Sequence, residues 1–307
     1  MNYVNLQYIK SKFNFYEKRL KTMKKDKAKF KQPTISKKSL TVFMALVILL
    51  SGVAEALYCA GRTEWVVALL MWIPAISAFI AAGIAMADNK DKFNPIKLFR
   101  YVGIRFCNPL YVLLGIVIPF VYLYIPYRIY WFMHPENYGY SGVAFSVIMK
   151  DLAIYTVICV LISLITALGE EIGWRGFMLP AFVQRLGDKG AIAAVSIFWC
   201  LWHFPLLIFS DYMEGTPVWY KLIAFALCIF PVGVIEGVLT FWSKSVWPAA
   251  FVHAAHNAFD QTVFDIITIG DDKKFFVSET GVFTIICAWV IAIIMFVIYI
   301  KTKKKSS

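Results

Sequence analysis

Three short polar strings interrupt otherwise apolar stretches of this 307-residue chain: Glu170-Glu171-x-x-x-Arg175, Trp199-x-x-x-His203 and His253-x-x-x-Asn257. A charged side chain at the centre of a membrane helix costs roughly 2.5–3.5 kcal/mol, so such groups usually face a protein interior or a wet cavity, where they bind or react. A glutamate and two histidines can polarise a water molecule, and the chemistry these residue types point to is hydrolysis inside a membrane. On a helix Glu171 and Arg175 stand four apart with the acid first, so they can neutralise one another. Glu170 projects roughly 100° away and is left to face a cavity as a general base. His203 sits in the aromatic run Phe198-Trp199-Cys200-Leu201-Trp202-His203-Phe204-Pro205, with Trp199 one turn before it on the same face. His253 and Asn257 likewise share a face, and Ala254 and Ala255 between them let another helix come close. His256 lies three residues from His253 and competes for the same job; spacing leaves that choice open.

The elements that must hold these strings are membrane spans. The chain is 60% hydrophobic and 17% aromatic, with a mean hydropathy of +0.66, whereas a soluble domain is about 45–50% apolar. Apolar runs of bilayer-spanning length cover about 40–60, 65–87, 109–126, 146–168, 191–210, 218–241, 246–267 and 281–300. The runs are continuously apolar and do not alternate, which argues against a barrel. The expectation is an all-α polytopic membrane protein of about eight transmembrane helices. Its parts are a basic arm (1–39), a helical membrane domain (40–300) and a basic tail (301–307).

Loop charge orients the spans, because Lys and Arg favour the cytoplasmic side. The arm, the segment with Lys90, Lys92, Lys97, Arg100 and Arg105, the loop with Arg175, Arg185 and Lys189, Lys244, and the tail alternate with loops poor in base. Both termini are therefore expected in the cytoplasm. The net charge of +12 follows from this topology and from contact with anionic lipid at the basic ends. No folded basic face with reading side chains is visible, so nucleic acid is not an expected partner. The first 39 residues lack the apolar stretch of a cleavable signal peptide. The six cysteines form no C-x-x-C pair and read as ordinary thiols.

Other charged residues lie in or near spans: Glu55, Glu236, Asp260 and Asp265, and Lys150 and Asp151, which are expected to snorkel or pair. Structural pairing is the favoured reading of each, and Glu236 is expected either to pair with Lys244 or to line the cavity. A proton-coupled transporter would use such acids as relays but predicts an inverted repeat, and none is detected. A non-catalytic membrane immunity factor or scaffold is the alternative reading, and it predicts that Glu170 is dispensable.

Glu170-Glu171-Ile172-Gly173-Trp174-Arg175-Gly176-Phe177-Met178-Leu179-Pro180 resembles the first motif of the CAAX-protease and bacteriocin-processing (CPBP, or Abi) intramembrane proteases. Trp199-x-x-x-His203 resembles the second, and Ser245-Val246-Trp247-Pro248 leading to His253-x-x-x-Asn257 the third, in the right order over about 145–260. The resemblance implies eight transmembrane helices and a catalytic cavity opening to the cytoplasm. It implies that Glu170 activates the attacking water with His203 assisting, that His253 and Asn257 stabilise the oxyanion, and that Glu171 and Arg175, with Trp199 as an aromatic wall, support them. It implies an endopeptidase acting on membrane-associated, CAAX-type lipidated peptides or proteins. Whether a metal takes part stays open: zinc, if used, is expected on Glu170, His203 and His253 with water as fourth ligand, yet no H-E-x-x-H is present. Lys- and Ile-rich usage points to a bacterial plasma membrane.

Overall fold

The computed structural model describes residues 33–61, 63–139 and 145–304. The expected basic arm therefore lies mostly outside the described residues. Ten α-helices follow one another among them: α1 Lys37–Gly61, α2 Glu64–Asp88, α3 Pro95–Tyr101, α4 Pro109–Met133, α5 Phe145–Glu171, α6 Leu179–Phe209, α7 Val218–Ser243, α8 Trp247–Ala258, α9 Lys273–Phe276 and α10 Val282–Lys304. Two wider π-helical segments, Ile172–Met178 and Phe259–Phe264, continue α5 and α8. No β-strand occurs among the described residues beyond an isolated bridge between Tyr138 and Thr268.

Local chemistry sets several boundaries. Asn94 and Asn108 cap α3 and α4 by accepting from the backbone N–H groups of Ile96, Lys97 and Leu110, with proline next in each case. A side-chain acceptor followed by proline satisfies the first free donors and presets φ. The run Leu152–Phe209 is 58 residues long. At about 1.5 Å per residue it is far longer than one crossing. Gly187, with φ of 67°, divides it, because a left-handed turn is costly for any residue with a Cβ.

Six helical runs are long and apolar enough to cross a membrane. With the long one divided at Gly187, and with α8 and its π continuation over the expected 246–267 span, each of the eight expected spans coincides with a helix. The chain is built as a multi-pass membrane protein. Burial sorts the helices. Some 72% of the most apolar window of α7 is buried, against 28% in α1 and in α10, so α7 is central and the other two are peripheral. Leu49, Val53, Ile162, Ile165 and Ile294 remain exposed, a surface suited to lipid.

Hydrogen bonds define two ends of the bundle. At the basic end, Asn89 donates to the Thr34 carbonyl, Ser36 to Asp88, Arg185 to the Ile35 carbonyl, and Ser245 to the Arg105 carbonyl. Tyr299 and Lys303 of α10 reach Asp188 at the same end. Lys97 and then Tyr101 bond the Asp91 carboxylate there, holding it below the usual carboxylate range. At the opposite end, Tyr130 donates to Asp272, Trp131 to Thr268, Tyr220 to the Thr280 carbonyl, and Lys274 to the Glu214 carbonyl. Loops 210–217 and 265–281 are thereby tied to each other and to α4 and α7, and the Gly139 N–H donates to the Ile267 carbonyl and the Ile269 N–H to the Asn137 carbonyl.

Close helix approach positions the first polar string. A Cβ at Gly169 would lie 2.7 Å from the Met71 carbonyl oxygen. One at Gly173 would run into the Pro74 side chain and stand 2.8 Å from the Pro74 carbonyl carbon. These glycines let α5 and its π continuation seat against α2, bringing Glu170 between them. Gly173→Ala is expected to cost about 1–3 kcal/mol, as overpacking does, read as a lowered Tm in detergent. Gly83→Ala, where nothing lies within 4 Å, is expected to leave Tm unchanged or raise it; equal loss at both positions would refute this packing account.

Candidate active site

A cavity of about 270 Å³ is lined by Glu170, Trp199, His203, His253 and Asn257, together with His256, Glu279 and apolar residues. All four expected catalytic residues thus share one chamber. They come from separate elements: Glu170 from the end of α5, His203 from α6, His253 and Asn257 from α8.

Two indoles fix Glu170. Trp199 Nε1 donates to Oε2 at 2.8 Å and Trp174 Nε1 to the same oxygen at 3.1 Å. Trp174 is four residues on from Glu170, and the π-helical stretch between them is the kind of widened turn often found at functional sites. Trp199 is the expected aromatic wall, and it is also a hydrogen-bond donor. Glu170 is 1% exposed, and no other hydrogen bond reaches its carboxylate among the described residues.

Among the described residues, His203 and His253 each have one ring nitrogen hydrogen-bonded and the other without a hydrogen-bond partner. His203 Nδ1 lies 2.8 Å from the Trp199 carbonyl oxygen. A carbonyl only accepts, so Nδ1 carries the proton there, and in the neutral ring Nε2 is an acceptor. Phe225 and Trp202 hold the ring from the sides, with centroids 5.0 and 4.9 Å away. His253 Nδ1 donates to Glu171 Oε1 at 3.0 Å, again leaving Nε2. His256, the rival at the sequence level, has both nitrogens engaged: Nδ1 with the Tyr122 hydroxyl at 2.7 Å and Nε2 with Glu279 Oε1 at 2.9 Å. That difference separates the two histidines where spacing did not.

Behind His253 stands a buried charge layer. Arg175 Nη1 donates to Glu171 Oε1 at 2.9 Å, and Nη2 pairs with Glu236. The guanidinium also sits 4.2 Å from the centre of the Trp199 ring, a cation–π contact. The expected Glu171–Arg175 pair is present. Glu236 pairs with Arg175; the Lys244 partnership considered from sequence does not form, because Glu236 sits two turns earlier on α7, deep in the core. A second polar layer lies on the other side of the chamber. Asp260, expected near the surface, is buried, and accepts from Tyr127 and from the Glu279 backbone N–H. Gln261 joins His256 on Glu279 Oε1. Glu279 went unnoticed in the sequence; the only cue was a lone acid in Ser278-Glu279-Thr280-Gly281 between apolar stretches. Glu55 is buried in α1 and takes no part in the chamber lining.

The metal expectation needs correcting. Among the described residues the carboxylate and imidazole atoms that gather within 4.8 Å of one another belong to Glu171, Glu236 and His253, not to Glu170, His203 and His253. Glu170 is instead turned onto two indoles and His203 onto its own helix carbonyl. The set that does gather already holds the Arg175 guanidinium between its two carboxylates. A dication would have to expel that charge, so the donor set could hold a metal ion only with Arg175 displaced and does not fit one as it stands.

Residues 152–259, which carry all three motifs and the four chamber residues, match the family model described as "Type II CAAX prenyl endopeptidase Rce1-like". A 133-residue stretch is 32% identical to "CAAX prenyl protease 2" of Methanococcus maripaludis, covering 42% of this chain and 46% of that protein. The chain thus spans about half the length of the curated relative it matches. The resemblance drawn from the motifs is borne out: residues 152–259 are similar to this family.

Replacing Arg175 by Leu leaves Glu171 and Glu236, both fully buried, without their countercharge. Unpairing a buried ion costs about 3–5 kcal/mol, and the double variant with Glu236→Gln is expected to be less destabilised than the sum of the singles. Unfolding measured for all three proteins in detergent checks this; strict additivity would contradict the coupled layer.

Proposed function

We propose that this chain is a membrane-embedded endopeptidase that hydrolyses peptide bonds of membrane-associated substrates by glutamate-activated water. The observation that carries the reading is the shared chamber: the Glu170 carboxylate, the His203 and His253 imidazoles and the Asn257 carboxamide line a single cavity with largely apolar walls. A water within reach of Glu170 and His203 Nε2 gives its proton to the Glu170 carboxylate as its oxygen attacks the scissile carbonyl. The Glu171 carboxylate accepts from His253 Nδ1 and balances an imidazolium there, whose Nε2–H donates to the oxyanion. Asn257 Nδ2 is the second donor. As the tetrahedral centre collapses, the proton held on Glu170 passes to the leaving amine, and the carboxylate is restored. Arg175, Glu171 and Trp199 position these groups. No step needs a bound metal.

Trp199, Trp202, Phe225, Ile229 and Val232 make the walls apolar, which suits a hydrophobic or lipid-bearing segment. The relative's name, CAAX prenyl protease 2, supports a lipidated peptide or protein as the substrate. We place the protein in a bacterial plasma membrane, with a basic arm over 1–39 and a tail over 301–307 held against anionic lipid.

Purified protein in nanodiscs, assayed against a quenched hydrophobic peptide library, tests the activity. Glu170→Gln is expected to lower kcat by roughly 10²–10⁴-fold, the usual worth of a general base. Asn257→Ala is expected to lower it by about 10²–10³-fold, as loss of an oxyanion donor does. Unchanged cleavage by a folded Glu170→Gln protein would overturn the role given to Glu170, and absence of cleavage by the folded unaltered protein would favour the scaffold reading. Prolonged incubation with a strong chelator followed by dialysis is expected to leave kcat unchanged; loss restored by added zinc would show instead that the Glu171, Glu236 and His253 set binds metal with Arg175 moved aside.

A further inference from the structure

The chamber has two polar flanks, and they differ in charge. On one, the buried carboxylates of Glu171 and Glu236 are balanced by Arg175. On the other, Asp260 and Glu279 stand side by side, each 2% exposed, with the Glu279 backbone N–H donating to Asp260 Oδ2 at 3.1 Å. No lysine or arginine pairs with these two carboxylates among the described residues. The lysines at this end of the bundle are turned onto other acceptors: Lys221 donates to the Tyr212 carbonyl, Lys273 pairs with Asp265, and Lys274 donates to the Glu214 carbonyl. The ion-pair partner of Glu279 is His256, which as an imidazolium balances at most one of the two charges.

Glu279 lines the chamber. Its two oxygens are not equivalent. Oε1 accepts from His256 Nε2 at 2.9 Å and from Gln261 Nε2 at 3.1 Å. Oε2 is buried with no hydrogen-bond partner among the described residues. The Tyr212 hydroxyl, which also lines the chamber, stands beside the same carboxylate and can offer its oxygen as a second acceptor. A buried carboxylate oxygen without a donor is costly, and a charged donor relieves that cost best. Among the described residues no lysine or arginine lines the chamber, whereas the carboxylates of Glu170 and Glu279 do. An anionic group entering it meets no fixed cation, and a cationic one meets an acceptor.

We infer that Glu279 forms a subsite for a basic substrate side chain, lysine or arginine, whose ammonium or guanidinium donates to Oε2 while the scissile carbonyl lies at Glu170 and His253. This rests on the peptidase reading for what enters the chamber. The apolar walls suit the methylene stem of such a side chain, and the carboxylate takes its charged head. Charge then selects between substrates. An apolar side chain of the same length leaves Oε2 buried and unpaired, and an acidic one is repelled by Glu279 and Asp260 together. Glu279 comes from the loop between α9 and α10, outside the family-matched residues 152–259. The matched motifs thus supply the proposed chemistry, and a loop beyond them supplies the choice of substrate.

A quenched peptide series in nanodiscs tests the subsite. Each peptide is acetylated at its amino end and amidated at its carboxyl end, and one position at a time carries Lys, norleucine or Glu. At one position near the cleaved bond the unaltered protein is expected to favour Lys over norleucine by roughly 10–10²-fold in kcat/KM, the usual worth of a hydrogen bond to a charged group, and to disfavour Glu. In Glu279→Gln that Lys preference is expected to vanish, and in Glu279→Arg to invert in favour of Glu, an inversion that loss of bracing on His256 would not produce. The ratio of two peptides in one sample does not depend on the fraction of protein folded. Equal cleavage of Lys and norleucine peptides by the unaltered protein at every position, or a Lys preference that survives in Glu279→Gln, overturns the inference. If neither variant folds, the order of Lys, norleucine and Glu in the unaltered protein decides it. A norleucine peptide with a free amino end forms a separate arm: a preference for that peptide without one for Lys assigns the site to substrate amino termini and overturns the side-chain subsite. If the unaltered protein cleaves no peptide, the peptidase reading fails by itself, and equilibrium binding of the same peptides still reads the subsite: tighter binding of the Lys peptide by the same factor is expected, and equal affinities overturn it.

Discussion

The Arg175 guanidinium is the interaction on which the rest of the site depends. It lies fully buried between the carboxylates of Glu171 and Glu236 and against the face of Trp199. Two carboxylates in a dry helical core repel one another and lose their hydration, a combination tolerated only with a countercharge and specific hydrogen bonds. The arginine supplies both, and in doing so ties the π segment after α5 to the central helix α7. Glu171 then has one oxygen left in place for His253 Nδ1. Trp199, backed by the cation, aims its indole N–H at Glu170. One buried cation therefore orients an imidazole on one side and a carboxylate on the other.

That layer can exist only because the backbones come close. Gly169 and Gly173 bring the α5 end onto α2 at distances that no Cβ would permit, and the alanines of α8, buried throughout, let it pack against α4 and α5. In lipid there is no hydrophobic drive between helices, so close packing and buried hydrogen bonds carry association. Small residues on the facing surfaces and large aliphatics on the lipid side are the outcome. The polar groups of the chamber are held by both of its flanks, Arg175 with its carboxylates on one and the Tyr122–His256–Glu279 chain on the other.

Free and engaged nitrogens distinguish histidines that look alike in sequence. His203 and His253 each give one nitrogen to an acceptor that sets the tautomer and keep the other for the chamber. His256 spends both, between a tyrosine and a carboxylate that arrives from the loop before α10. A histidine with both nitrogens bound braces a wall; one with a nitrogen to spare can exchange a proton.

Much of this was open to reading along the chain. Continuous apolar runs and the alternation of basic loops yield the helices and their order, since helix formation in lipid is a local demand that every backbone group be bonded within its own segment. The i, i+4 spacings place Glu171 with Arg175, Trp199 with His203, and His253 with Asn257, because those pairs share a helix face wherever the helix sits. What spacing along one helix cannot hold is the contact between helices far apart in the chain. That Glu236 closes on Arg175, that Glu279 reaches His256 and that Glu170 accepts from two indoles were decided by how the rods pack. Side chains from separate helices meet according to the depth and rotation of each rod, and those are set by the glycine and alanine contacts of the assembled bundle.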